Sequence, residues 1–184
     1  MQLAFVIPLD DAGSHLTTAL QLDILRQFGY NPGLDAPPHI TLKMGFSAIS
    51  SAPFESYLDQ LVSGVAPFEI SIKNFNCFDE GILFLDVESS PTLERLRQRI
   101  LKDLSEFHGI CAESVEGPDF RFHVTLAYGF SKQEFARLRD SHASREIHFN
   151  FTARHIDLFC HTGDHWVTYK RGNLTHHTHG TTAL

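Results

Sequence analysis

Apolar positions along the chain recur with two periods. Near-helical spacing runs from Ser14 to Phe28 through Leu16, Ala19, Leu20, Ile24 and Phe28, with Ser14 as the expected N-cap. The clearest helix is Pro91 to Phe107. Leu93, Leu96, Ile100, Leu101 and Leu104 fall on one side of it, Glu94, Arg95, Arg97, Arg99 and Lys102 on the other. Ser89 or Ser90 caps it, and Pro91 suits a first helical turn. Phe54 to Val62 and Ser131 to Asp140 read as shorter helices. Alternation with period two marks Phe68 to Phe75, where Phe68, Ile70 and Ile72 oppose Glu69, Ser71 and Lys73. Gln2 to Leu9, His39 to Phe46, Ile82 to Val87, Phe120 to Phe130, Ile147 to Ala153, His155 to Cys160 and His165 to Lys170 complete the expected strands. Gly29 to Pro38 and Gly109 to Asp119 read as loops, and Asp79-Glu80-Gly81 as a turn.

The order of elements echoes itself. Each half holds a strand with His-x-Thr-Leu, then a helix, a strand and a hairpin-like pair, and the turn after Phe78 resembles the turn after Phe159. An α+β fold of two related lobes accounts for this. The expected domain is residues 1–172, with halves at about 1–89 and 90–172. Residues 173–184, rich in His and Thr, read as a loose tail. His176, His177 and His179 in that tail suit adventitious metal binding better than a built site.

Composition narrows the function classes. Of 184 residues, 42% are hydrophobic and 20% charged, which excludes a disordered chain. No apolar run approaches the roughly 18–20 residues needed to span a bilayer. The first ten residues carry no basic residue ahead of their apolar stretch, so no signal peptide is expected. The formal charge of −7 is the wrong sign for sheathing a long nucleic acid. Cys77, Cys111 and Cys160 are three in number and far apart, so a disulfide framework is not expected and a reducing cytoplasm is.

Two segments carry candidate chemistry. The bare pattern His-x-Thr occurs five times, against about 0.8 matches expected by chance in this composition. Only His39-Ile40-Thr41-Leu42 and His123-Val124-Thr125-Leu126 sit inside expected strands with a β-branched residue after the histidine. Side chains alternate along a strand, so His39, Thr41 and Lys43 share one face while Ile40, Leu42 and Met44 point into packing. Arg121, His123 and Thr125 likewise share a face. If the strands are neighbours, one wall collects two imidazoles, two hydroxyls, an ammonium and a guanidinium, and no carboxylate. That inventory suits a phosphodiester. One imidazole can take a proton from the attacking oxygen and the other give one to the leaving oxygen. The hydroxyls can hold the oxygens where charge grows, and Lys43 and Arg121 can add positive potential. No metal or other cofactor is needed.

The paired motifs, about 80 residues apart, resemble those of the 2H phosphoesterase superfamily, in particular its 2′,3′-cyclic phosphodiesterase and 2′-5′ RNA ligase-like branch. The resemblance implies two pseudo-symmetric lobes, each an antiparallel sheet with outer helices, around a central cleft. It implies metal-independent hydrolysis of a 2′,3′-cyclic or 2′-5′-linked ribose phosphate. His39, Thr41, His123 and Thr125 are the expected catalytic residues. The reading leans to His123 as base and His39 as acid, although the two motifs are near-equivalent. Lys43, Arg121, Tyr30 and Tyr128 are the expected substrate contacts, and Phe46, Phe130 and Trp166 are further aromatic candidates for base stacking. The expected partner is a nucleotide or short RNA end, met by a cytoplasmic monomer. The alternatives are a nucleotide-binding module without turnover and a 2′-5′ RNA ligase.

Overall fold

A computed structural model describes residues 1–78 and 81–175. Along the chain come β1 (Gln2–Pro8), α1 (Asp11–Phe28), β2 (His39–Ser47), α2 (Ala52–Ser63), β3 (Phe68–Phe78), β4 (Ile82–Val87), α3 (Pro91–His108), β5 (His123–Ala127), α4 (Lys132–His142), β6 (His148–Ala153), β7 (His155–His161) and β8 (Trp166–Asn173). Single 3-10 turns lie at Pro32–Leu34 and Ser114–Glu116. Strand lengths follow the apolar pattern closely, but several ends differ. The first helix begins at Asp11 because Asp10 is its cap, its carboxylate accepting from the Gly13 amide. Ser90, not Ser89, caps α3, and Ser131 caps α4 while its own amide donates back to the Glu134 carboxylate. The long strand expected over Phe120 to Phe130 shrinks to five residues. Phe120 bonds back to Gly117, and Gly129 turns the chain at φ 86°.

The strands form two antiparallel four-stranded sheets, in the orders β2-β1-β7-β8 and β5-β4-β3-β6. The sequence echo is therefore real but interleaved. Strands β7 and β8, from the C-terminal side, complete the first sheet, while β3, from the N-terminal side, lies inside the second. A cut near residue 89 separates the sequence halves and not the sheets. Residues 173–175, expected to be loose, are held in place. Asn173 ends β8, Leu174 is buried and its amide bonds Arg154, and the Thr175 amide bonds Val65. His176, His177 and His179 lie outside the described residues.

Packing explains why β1 and β4 read as nearly continuous apolar runs. Leu3, Phe5 and Ile7 of β1 face the main core, while Ala4 and Val6 face the opposite side with Phe159 and Trp166. The central strands are thus covered on both faces. Helix α2 packs over β7 and β8 and α3 over β2, whereas α1 reaches across to β5. One apolar cluster joins both sheets, running from Leu3 through Leu85 and Leu126 to Leu158. The two edge strands β2 and β5, which carry the two motifs, lie side by side where the sheets meet.

Candidate active site

His39 opens β2 and His123 opens β5, so the two imidazoles enter from equivalent places in the two sheets. Each is held in the same way. His39 Nδ1 lies 2.7 Å from the Pro37 carbonyl, and His123 Nδ1 lies 2.7 Å from the Arg121 carbonyl. A carbonyl accepts only, so Nδ1 carries the proton in both rings and Nε2 is left for chemistry. Each ring also leans on phenylalanine. His39 meets Phe159 edge-on at 5.1 Å, and His123 meets Phe78 at 5.1 Å and Phe84 at 5.0 Å. Thus the echoed Phe78 and Phe159 each brace the histidine of the sheet they join.

His39 senses the charge of His123. Burial lowers the His39 pKa from its ordinary 6.5, the Pro37 carbonyl partly opposes this, and the charge of His123 lowers it further. Burial also lowers the His123 pKa. There the Arg121 carbonyl and the Asp86 carboxylate oppose the shift, and the Arg121 guanidinium adds to it. Thr41 and Thr125 line the same cleft as His39, a hollow of about 210 Å³. Ala4, Val6, Phe159 and Trp166 form its apolar side, and Met44, Gly45 and Tyr128 lie along it. Gly45 has a steric reason: a Cβ there would sit 3.0 Å from the Trp166 ring.

Other expected contacts fall elsewhere. A bulge at Leu42 breaks the alternation of β2, since Val6 pairs with Thr41 but Phe5 pairs with Lys43. Leu42 and Lys43 are consequently both buried. The Lys43 ammonium meets the Glu116 carboxylate at 2.6 Å, and Met44, expected inside, is exposed in the cleft wall. Lys43 is therefore not on the histidine face. Arg121 stays near His123, but both of its outer bonds go to Asp86, at 2.9 and 2.5 Å, so its charge is matched. That overturns the expectation of a site without a carboxylate, because Asp86 stands opposite His123 in the β4–β5 register. Tyr30 is largely exposed and bonds Asp35, outside the cleft lining. Of the further aromatics, Trp166 lines the cleft, whereas Phe46 is buried in the core and Phe130 packs on Phe28.

Residues 10–165 match the model of the family described as the 2′-5′ RNA ligase superfamily. The chain belongs to this superfamily, the 2H phosphoesterases. Membership supports phosphoesterase chemistry for the chain. Among relatives, the Geobacillus kaustophilus protein named "Putative phosphoesterase GK0864" is 27% identical over 141 residues, which is 73% of this chain and 76% of that one. Among solved structures, TT0787 of Thermus thermophilus superposes with a TM-score of 0.64 at 16% identity, covering 95% of this chain and 98% of that one. Escherichia coli LigT complexed with 3′-AMP gives 0.63 at 15% identity over the same shares. Those two likenesses establish the bilobal 2H fold.

Sequence reading missed three residues around this 2H cleft. Asp86 is the lone charge in the apolar run Ile82–Val87, and that isolation was a usable signal. Glu116 had none, since nothing in a loop sequence marks a carboxylate bound for the interior. Gln21, on the buried side of α1, donates to the carbonyls of Gly33 (3.0 Å) and Thr125 (3.3 Å), tying the first loop to the second motif.

Proposed function

We propose that the chain is a metal-independent phosphodiesterase that opens a 2′,3′-cyclic, or cleaves a 2′-5′-linked, ribose phosphate with His39 and His123 as its proton-transfer pair. The carrying observation is the matched anchoring of two imidazoles that open adjoining edge strands. Each is fixed by an Nδ1–H bond to a backbone carbonyl. In the first step a water oxygen bonds phosphorus as one imidazole removes its proton. The bond from phosphorus to a ribose oxygen then breaks, and the other imidazole protonates that oxygen. The hydroxyls of Thr41 and Thr125 donate to the non-bridging oxygens as charge builds there. Asp86 favours the protonated form of His123, and no carboxylate opposes the lowering of the His39 pKa. That asymmetry favours His39 as the base and His123 as the acid, the reverse of the leaning taken from two near-equivalent motifs. Nothing in these roles needs a metal ion.

The hollow beside His39, whose lining does not include His123, holds no Lys, Arg, Asp or Glu among the described residues, and Arg121 beside His123 is paired with Asp86. Such a site fits one monoanionic diester better than a run of phosphates, which favours a nucleotide or RNA end over a long strand. Ligation would run the same groups in reverse, but it must hold two strands, which this charge balance does not help. The LigT structures with 3′-AMP, NADP+ and ATP keep nucleotide binding without turnover as the alternative to test. The test is turnover of nucleoside 2′,3′-cyclic phosphates in excess EDTA, with the product read by mass. His39→Ala and His123→Ala should each lower kcat by about 10²–10⁴-fold. Full activity in either variant would remove the assignment, and tight mononucleotide binding without any product would favour the binding module.

A further inference from the structure

Lys43 and Glu116 are buried together, with side chains 1% and 0% exposed. Three groups donate to the Glu116 carboxylate. Lys43 Nζ donates at 2.6 Å, the Met44 amide at 2.7 Å and the Glu113 amide at 2.8 Å. The Glu116 carbonyl accepts from Arg97 Nη2 at 2.6 Å. The Arg97 guanidinium lies 3.8 Å over the Phe120 ring, and that ring lies 6.5 Å from the His123 ring. A continuous line of contacts thus starts on β2, four residues after His39. It passes through Glu116 and Arg97 and ends beside the second imidazole.

Stability alone is a poor reason for this arrangement. Taking two charges out of water is costly, and an apolar pair of the same volume is often as stable or more so, which leaves room for a role in fixing neighbours in place. Here they fix the edge of one sheet against the loop that enters the edge of the other. The bulge at Leu42 is what turns Lys43 inward to make the pair. We infer that Lys43, Glu116 and Arg97 are positioning residues that set the spacing of the His39 and His123 rings, and that Lys43 is not a phosphate ligand. The inference rests on the two-histidine reading above.

Removing one partner would strand a buried charge and risk unfolding. The decisive variant is therefore the full chain with Lys43→Met and Glu116→Gln together. It keeps volume and an acceptor for the Met44 amide. Thermal unfolding should stay cooperative. With a nucleoside 2′,3′-cyclic phosphate, kcat should fall by about 10²-fold, the loss typical of misplaced catalytic groups. KM and the inhibition constant of inorganic phosphate should stay within about threefold. In an NMR titration of the histidines, the His39 titration should move as its distance from His123 changes. Unchanged kcat with an unmoved His39 titration overturns the inference. So does phosphate inhibition weakened tenfold or more at full kcat, which would make Lys43 a ligand. If the unaltered protein turns over no cyclic or 2′-5′ substrate, the proposed function fails, and the His39 titration still decides the positioning role.

Discussion

A hydroxyl two residues after a histidine has meaning only where a strand keeps both on one face, as it does at Thr41 and Thr125. Replacing either by Val keeps the shape and removes the donor. Each change should lower kcat by about 10²–10³-fold with a much smaller effect on KM, measured by steady-state kinetics. The histidines set the pH dependence. Activity needs His39 neutral and His123 protonated, so kcat/KM should rise as His39 loses its proton and fall as His123 loses its own. Both pKa values lie below the ordinary 6.5, which places the optimum on the acidic side of neutrality. Asp86→Asn removes a group that raises the His123 pKa and leaves the Arg121 cation unmatched. Both effects act in one direction, so the alkaline limb should move to lower pH. A limb that stays still would show that Asp86 does not tune the acid.

At the scale of elements, two close approaches hold the cleft in place. Gly172 of β8 lies under α2, and a Cβ there would come within 2.7 Å of Val62 Cγ1 and 3.0 Å of Leu58 Cγ. Gly172→Ala should destabilise by about 1–3 kcal/mol, seen as a lower urea midpoint at unchanged m-value. It is remote from the histidines and should leave KM unaltered. Gly33 is packed against the backbone of the second motif, where an added Cβ would sit 2.7 Å from the Leu126 carbonyl oxygen. Periodicity located every one of these elements, but not which sheet each strand would join. Nor did alternation foresee the bulge in β2, because a one-residue slip leaves no trace in composition. The cap of α3 was narrowed to Ser89 or Ser90 because its partner, the Leu93 amide, lies only three residues past Ser90. The Asp10 cap was not legible, because the apolar spacing of α1 starts later than its first turn.

For the whole molecule, interleaved strands and one shared core mean that neither sheet is complete without chain from both sequence halves. Unfolding should be a single cooperative transition, with coincident far-UV and near-UV signals. Partly and fully buried histidines should make it pH-dependent. His39, His123 and His142 all have folded pKa values lowered mainly by burial, so the unfolded chain binds their protons first. Stability should therefore be intact above the unfolded value of about 6.5 and fall as pH drops through the window below it, tracked by urea midpoints. Glu116 adds to the loss at lower pH. Its folded pKa is lowered by Lys43 and by the Glu113 and Met44 amides, against the opposing effect of burial. No helix among the described residues is long and apolar enough to cross a membrane. By itself the sequence determined the elements, the α+β class and the face that offers imidazole and hydroxyl together, because alternation and helical spacing are local. Only the tertiary structure decided the fate of the charges. Lys43 found its carboxylate 73 residues away, and Arg121 found Asp86 35 residues away. A cation seeks whichever anion the fold brings near, and no local rule says which one that will be.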